Sequence, residues 1–180
     1  MRNRSNEQLT GFTVQNTRID DKIAPNFYIS ELVKSELAIR RGINNWFRTD
    51  KQLQTAIRLA REVLQPIRDY AGGFTPNSVF RSQALERALK NKPQTWSSRS
   101  QHTKGEAADI EVPPFTTYEL AEWISKYIEI DQLIMEMHDP KIPSSGWVHV
   151  SYNEHNRGEI LSYIPDKSRF IYVPGLVSSA

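Results

Sequence analysis

The sequence predicts an α+β fold in which N-terminal helices pack on a small antiparallel sheet. Apolar residues up to about residue 70 recur with the 3.6-residue period of helices, whereas short apolar or alternating runs dominate from residue 107 onward. Helical and extended segments are therefore segregated along the chain, which favours an antiparallel sheet over an alternating parallel one. A length of 180 residues with 38% hydrophobic content fills one core and is short for two. We expect an irregular arm over residues 1–25 and a single domain over residues 26–180.

The arm is polar and lacks periodicity. A first helix is expected from Ser30, which can cap it, with Glu31 in its first turn and Leu32, Val33, Leu37 and Ile39 as apolar positions. Arg40 and Arg41 suit its C-terminal end, and Gly42 supplies the stop. A second helix is expected over residues 50–70, where Leu53, Ile57, Leu59, Ala60, Val63, Leu64 and Ile67 recur and Gly72-Gly73 closes the pattern. Pro66 lies inside it and predicts a kink or an early end. Residues 77–81 (NSVFR) read as a short strand, 83–90 as a helix, and 93–103 as a loop rich in Ser, Arg and Gln. A strand over 107–112, an amphipathic helix over 117–127 and strands at 131–137 (DQLIMEM) and 147–152 (WVHVSY) follow, with weaker strands at 159–164 and 169–173.

Composition excludes several kinds of chemistry. The chain has no cysteine, so disulfides, thiolate metal sites and a cysteine nucleophile are ruled out. Any zinc would need histidine and carboxylate ligands. The net charge is only +2, and no basic run is interleaved with aromatics, so nucleic acid is not an expected partner. A mild basic face can still attract an anionic polymer. No segment approaches the roughly 20 apolar residues of a membrane helix. The polar start lacks the apolar region of a secretory signal, so synthesis in the cytoplasm without one is expected, as is a monomer.

The four histidines differ in setting. His102 stands seven residues before Asp109 in SQHTKGEAAD, and the intervening Gly105 can turn the loop so that imidazole and carboxylate face one point. His149 sits mid-strand between Val148 and Val150, so valines facing the core would turn His149, with Trp147 and Ser151, to the other face. Two imidazoles and one carboxylate leave a fourth position open for water, the arrangement of a catalytic zinc. His155, Glu106 and Asp139 read as surface residues. Ser100 suits a hydrogen bond within the loop, and Trp147 suits a cleft wall.

SQHTKGEAADI followed by WVHVSY resembles the D-alanyl-D-alanine metallopeptidase family, which spans bacterial D,D-carboxypeptidases, phage L-alanyl-D-glutamate endolysins and the hedgehog domain. NFYISEL near the start and SVFRS at residues 78–82 are similar to its phage and prophage branch, so the resemblance covers residues 26–152. It implies a hedgehog-like fold, zinc held by His102, Asp109 and His149, and hydrolysis of amide bonds in peptidoglycan stem peptides. It also implies that Arg81 contacts the substrate carbonyl and stabilises the developing oxyanion. Such a product would reach the cell wall through a holin-permeabilised membrane or as part of a virion. Two features depart from the family's pattern. Many members carry a glutamate shortly before the last histidine, sometimes three residues before, where this chain has Gly146, and residues 89–99 lack a glycine pair common in relatives. The nearest suitable carboxylate is Glu136, which ends an apolar strand and would reach the water if that strand pairs antiparallel with 147–152. His138 is the alternative base. A catalytically weak or inactive zinc-fold module, serving as a wall-binding or virion structural protein, is the competing expectation.

Overall fold

A computed structural model describes residues 11–178. The first ten residues of the expected arm and the last two of the chain lie outside the described residues. β1 (Lys22–Ala24), at the end of the expected arm, pairs antiparallel with β2 (Phe27–Tyr28), which follows it. The first predicted helix is two short ones, α1 (Ile29–Val33) and α2 (Glu36–Arg41). Ser30 is not the cap: α1 starts one residue earlier, with Tyr28 N–H donating to the Glu31 carboxylate at 3.1 Å. Ser35 interrupts instead, because its hydroxyl accepts from Ala38 N–H at 3.2 Å and starts the next helix. The split rotates the later apolar positions, and Ile39 is 70% exposed. The second ends at Gly42 as expected.

The long apolar pattern forms α3 (Asp50–Leu59) and α4 (Gln65–Ala71), joined by a π turn at Ala60–Leu64. Thr49 opens α3 through a reciprocal pair, its hydroxyl accepting from Gln52 N–H while Gln52 Oε1 accepts from Thr49 N–H. Pro66 neither ends nor breaks the run. It has no N–H and crowds the carbonyl four residues back, and the wide π turn absorbs both demands before Pro66 takes the second position of α4. All seven predicted apolar residues of this run are wholly buried.

The remaining elements are α5 (Gln83–Leu89), β3 (Ala107–Ile110), α6 (Thr117–Tyr127), β4 (Gln132–Glu136), β5 (Trp147–Ser151), β6 (Glu159–Asp166) and β7 (Arg169–Pro174). The sheet order is β3-β5-β4-β6-β7. It is mixed: every pairing is antiparallel except β4 with β6. After β5 the chain crosses the start of β4, held there by Arg157 paired to Asp131, and β6 takes the free edge of β4 running in its direction. Residues 77–81 make a single bridge, Ser78 to Asp109, rather than a strand.

Alternation divides the sheet cleanly. Ala108, Ile110, Leu133, Met135, Val148 and Val150 face the helices and join one apolar cluster with Leu53, Ile57, Val63 and Leu64. Asp109, Ile134, Glu136 and His149 occupy the other face.

Candidate metal centre

Three segments meet on that second face. Asp109 on β3 lies directly opposite His149 on β5, and His149 in turn lies opposite Ile134 on β4. His102 comes from a 3₁₀ turn, Gln101–Lys104, that ends at Gly105 with φ of +79°. A Cβ at Gly105 would strike the Gln52 carbonyl and Ala56 on α3, so only glycine lets the turn pack that closely. Gln52 Nε2 donates to Thr103 O at 2.8 Å, and Ser100 O accepts from the Thr103 hydroxyl at 2.7 Å. Ser100 thus serves the loop through its carbonyl.

The three side chains converge as the sequence predicts. Asp109 Oδ1 is 3.2 Å from His102 Nε2 and 2.9 Å from His149 Nδ1, and the two imidazole centroids are 5.1 Å apart. Ligand atoms of all three lie within 4.8 Å of one another, a group that could hold a metal ion. All three are buried, His102 with 3% exposure.

Protonation favours that use. His102 Nδ1 is 2.7 Å from the Val79 carbonyl, which can only accept, so Nδ1 carries the proton and Nε2 presents its lone pair to the centre. A backbone carbonyl fixing the tautomer in this way is the usual outer support of a metal-ligating histidine. Burial lowers the His102 pKa, against the opposing pull of Asp109, and favours the neutral imidazole. Burial alone would raise Asp109, but the flanking imidazoles outweigh it and hold the carboxyl well below the usual range. Two imidazole nitrogens and a carboxylate oxygen, with no thiolate, form a donor set that fits zinc.

Arg81 stands beside this group with most of its donors engaged. Nε donates to the Ser78 hydroxyl at 2.8 Å and Nη1 to Glu86 Oε1 at 3.1 Å. Nη2 reaches the outer Asp109 oxygen and lies 2.9 Å from His102 Nε2. Glu136 pairs in register with Trp147, placing its carboxylate one same-face step from the strand position opposite His149. It is half-buried. Burial raises its pKa above the ordinary value; nearby His149 lowers it and Asp109 adds to the rise.

His138 does not continue that face. Met137 adopts φ of +53°, the strand ends, and the His138 ring turns into the following loop with Nδ1 3.2 Å from Ser145 O. Gly146 has a structural reason for replacing glutamate: at φ of +70° a Cβ there would run into the Glu136 carbonyl oxygen. Trp147 is half-buried next to these residues, and His155 is exposed; Glu106 and Asp139 are intermediate in exposure. Two features had no sequence signal. Glu86 and Lys90 have the spacing of an ordinary exposed helix pair, yet the Glu86 side chain is wholly buried. Gln101, adjacent to His102, is anchored by donating to Asp131 at 2.8 Å.

Fold and site together define a class: an α+β domain carrying a buried His–Asp–His metal-type centre on the open face of its sheet. The profile of the Peptidase M15 family matches residues 25–151, and the chain belongs to that family. No curated protein and no solved structure matches the chain. Among the described residues no helix is long and apolar enough to cross a membrane.

Proposed function

We propose that this chain is a zinc-dependent peptidase that hydrolyses amide bonds in peptidoglycan stem peptides, with His102, Asp109 and His149 as the zinc ligands. The observation that carries the reading is the convergence of these three side chains with the His102 tautomer already set for coordination. Zinc, when bound, supplies the Lewis acidity that polarises the scissile carbonyl and makes water nucleophilic near neutral pH.

The chain's own groups do the rest. Glu136, more basic than an exposed glutamate, takes the proton from the attacking water and returns it to the leaving amine. Arg81 presents fixed positive charge where the carbonyl oxygen becomes negative, which favours the transition state over the bound substrate. The Val79 carbonyl holds the His102 proton on Nδ1 throughout. Trp147, in register with Glu136, walls that side of the cleft. Such a substrate puts the working location at the cell wall, with a phage or prophage origin supported by the NFYISEL and SVFRS segments.

The test is His102→Ala, with metal content and release of peptides from purified peptidoglycan measured together. Loss of both is expected, and mass identification of the fragments from the parent protein names the bond cleaved. Retention of metal and activity in the variant defeats the assignment. Metal binding without hydrolysis in the parent protein supports the second reading, a zinc-fold wall-binding or virion module. That reading draws on Gly146 in place of the glutamate.

A further inference from the structure

Glu86 projects from α5 with its side chain wholly shielded from solvent. Its Oε1 accepts from Arg81 Nη1 at 3.1 Å, and its Oε2 accepts from Ser98 Oγ and Lys90 Nζ, each at 2.8 Å. An unpaired carboxylate in such a place would be strongly disfavoured; two cations and a hydroxyl offset that here. Ser98 is itself pinned to α5, its N–H donating to Gln83 Oε1 at 2.8 Å while its carbonyl accepts from Gln83 Nε2 at 3.0 Å. Lys90 is 45% exposed. A line of alternating charge, Lys90–Glu86–Arg81–Asp109, therefore runs from the surface to the metal-type centre.

Arginine has a long side chain, and its rotational freedom must be removed before its fork can address one point. Ser78 holds Nε and Asp109 engages Nη2, but Nη1 is fixed by Glu86. The metal-type centre lies on the Asp109 side of the guanidinium, at Nη2, whereas Glu86 holds it through Nη1. Resting on the peptidase reading above, we propose that Glu86 is a positioning residue: it clamps Arg81 so that the guanidinium stays aimed at the Asp109–His102 edge when substrate arrives. The same carboxylate ties that aim to the segment around Ser98, so the loop that lacks the relatives' glycine pair sets the orientation of Arg81.

A double-mutant cycle separates this role from simple stabilisation of α5. Glu86→Gln is expected to lower kcat by about ten- to a hundredfold with KM changed less than about threefold, because aim is lost rather than binding. In an Arg81→Ala background the same substitution is expected to change kcat by less than about twofold, since residues acting as one unit are non-additive. Ser98→Ala removes one donor and keeps every charge, and gives a smaller fall with the same dependence on Arg81 should Glu86→Gln fail to fold. Arginine-selective ¹⁵N NMR supplies a readout independent of activity. Restricted rotation should keep the Arg81 Nη signals separate in the parent protein, and they should merge in Glu86→Gln. Losses that multiply in the double variant, or an Arg81 guanidinium equally restrained without Glu86, overturn the proposal. A parent protein that hydrolyses nothing overturns the peptidase reading alone, and the NMR comparison still decides the role of Glu86.

Discussion

Replacing Gly146 by alanine tests whether the turn before β5 fixes the place of Glu136. Gly146 has φ of +70°, and its missing Cβ would overlap the Glu136 carbonyl and press on the Met137 and His138 backbone. The left-handed conformation costs an L-residue roughly 1–2 kcal/mol. Forcing a methyl group against packed backbone adds roughly 1–3 kcal/mol. The sum, roughly 2–5 kcal/mol, corresponds to a fall in Tm of roughly 4–20 °C for a protein of this size. Gly158 provides the control, since it has φ of +64° with nothing near the added Cβ. Gly158→Ala carries only the conformational cost, a fall of roughly 2–8 °C. Both substitutions narrow the unfolded chain equally, so that contribution cancels in the comparison. Thermal unfolding followed by circular dichroism measures the two midpoints. Equal losses would refute the close approach of Gly146 to the Glu136 carbonyl. With it would go the argument that a glutamate cannot stand at position 146 in this chain.

Glu136→Gln should lower kcat by about 10²–10⁴-fold, the usual contribution of a positioned general base. It should also abolish the acid limb of kcat/KM, which in the parent protein lies above the range of an exposed glutamate because burial raises the carboxyl pKa; an unchanged limb excludes Glu136. Zinc at a hundredfold excess over its Kd should stabilise the protein by about 2.7 kcal/mol, or about 5–11 °C in Tm. His149→Ala should remove that shift, and calorimetry with and without chelator checks it. Arg157, with burial opposing and Gln101 assisting, holds the Asp131 pKa below its usual range. A lowered folded-state pKa means stability that is present above the unfolded value of about 3.9 and drains away as pH falls further. Asp131→Asn should therefore flatten the acid side of a Tm-against-pH curve, and an unaltered slope below pH 4 would contradict the pairing.

The legible parts of this fold were those where burial dictates residue type. The seven apolar residues between Leu53 and Ile67 are all wholly buried, and α6 has the predicted bounds. What escaped was decided by competition between near-equal local choices or by partners distant in sequence. Ser30 and Ser35 are both capable caps; the β1–β2 hairpin brings Tyr28 to the start of α1 in place of Ser30, and Ser35 opens a second helix. The direction of β6 depends on Asp131 capturing Arg157 across 26 residues, which no local pattern announces. The trio was readable because Asp109 and His149 each broke an apolar or small-residue run, and His102 stood seven residues before Asp109 across Gly105. Glu86 was hidden because its burial is compensated by Arg81, Lys90 and Ser98, and a compensated charge looks like a surface charge in sequence.

The convergence of the trio is encoded less by its own residues than by the apolar ones behind it. Asp109 and His149 face each other because Ala108 pairs with Val150 and Ile110 with Val148, and all four belong to the core. A slip of one residue between β3 and β5 would drive Asp109 into the helices and turn Ala108 and Ile110 out of the core, so the cost of misplacing core residues holds the register. The same logic places Glu136, since Leu133 and Met135 bury on the helix side and force the glutamate to the face shared with His149. His102 lies outside the sheet and needs a different anchor. It has one in the Val79 carbonyl, whose neighbour Ser78 bridges directly to Asp109. The histidine outside the sheet is thus indexed to the strand that carries the carboxylate, and the seven-residue step between them spans a loop whose two ends are tied to one short segment.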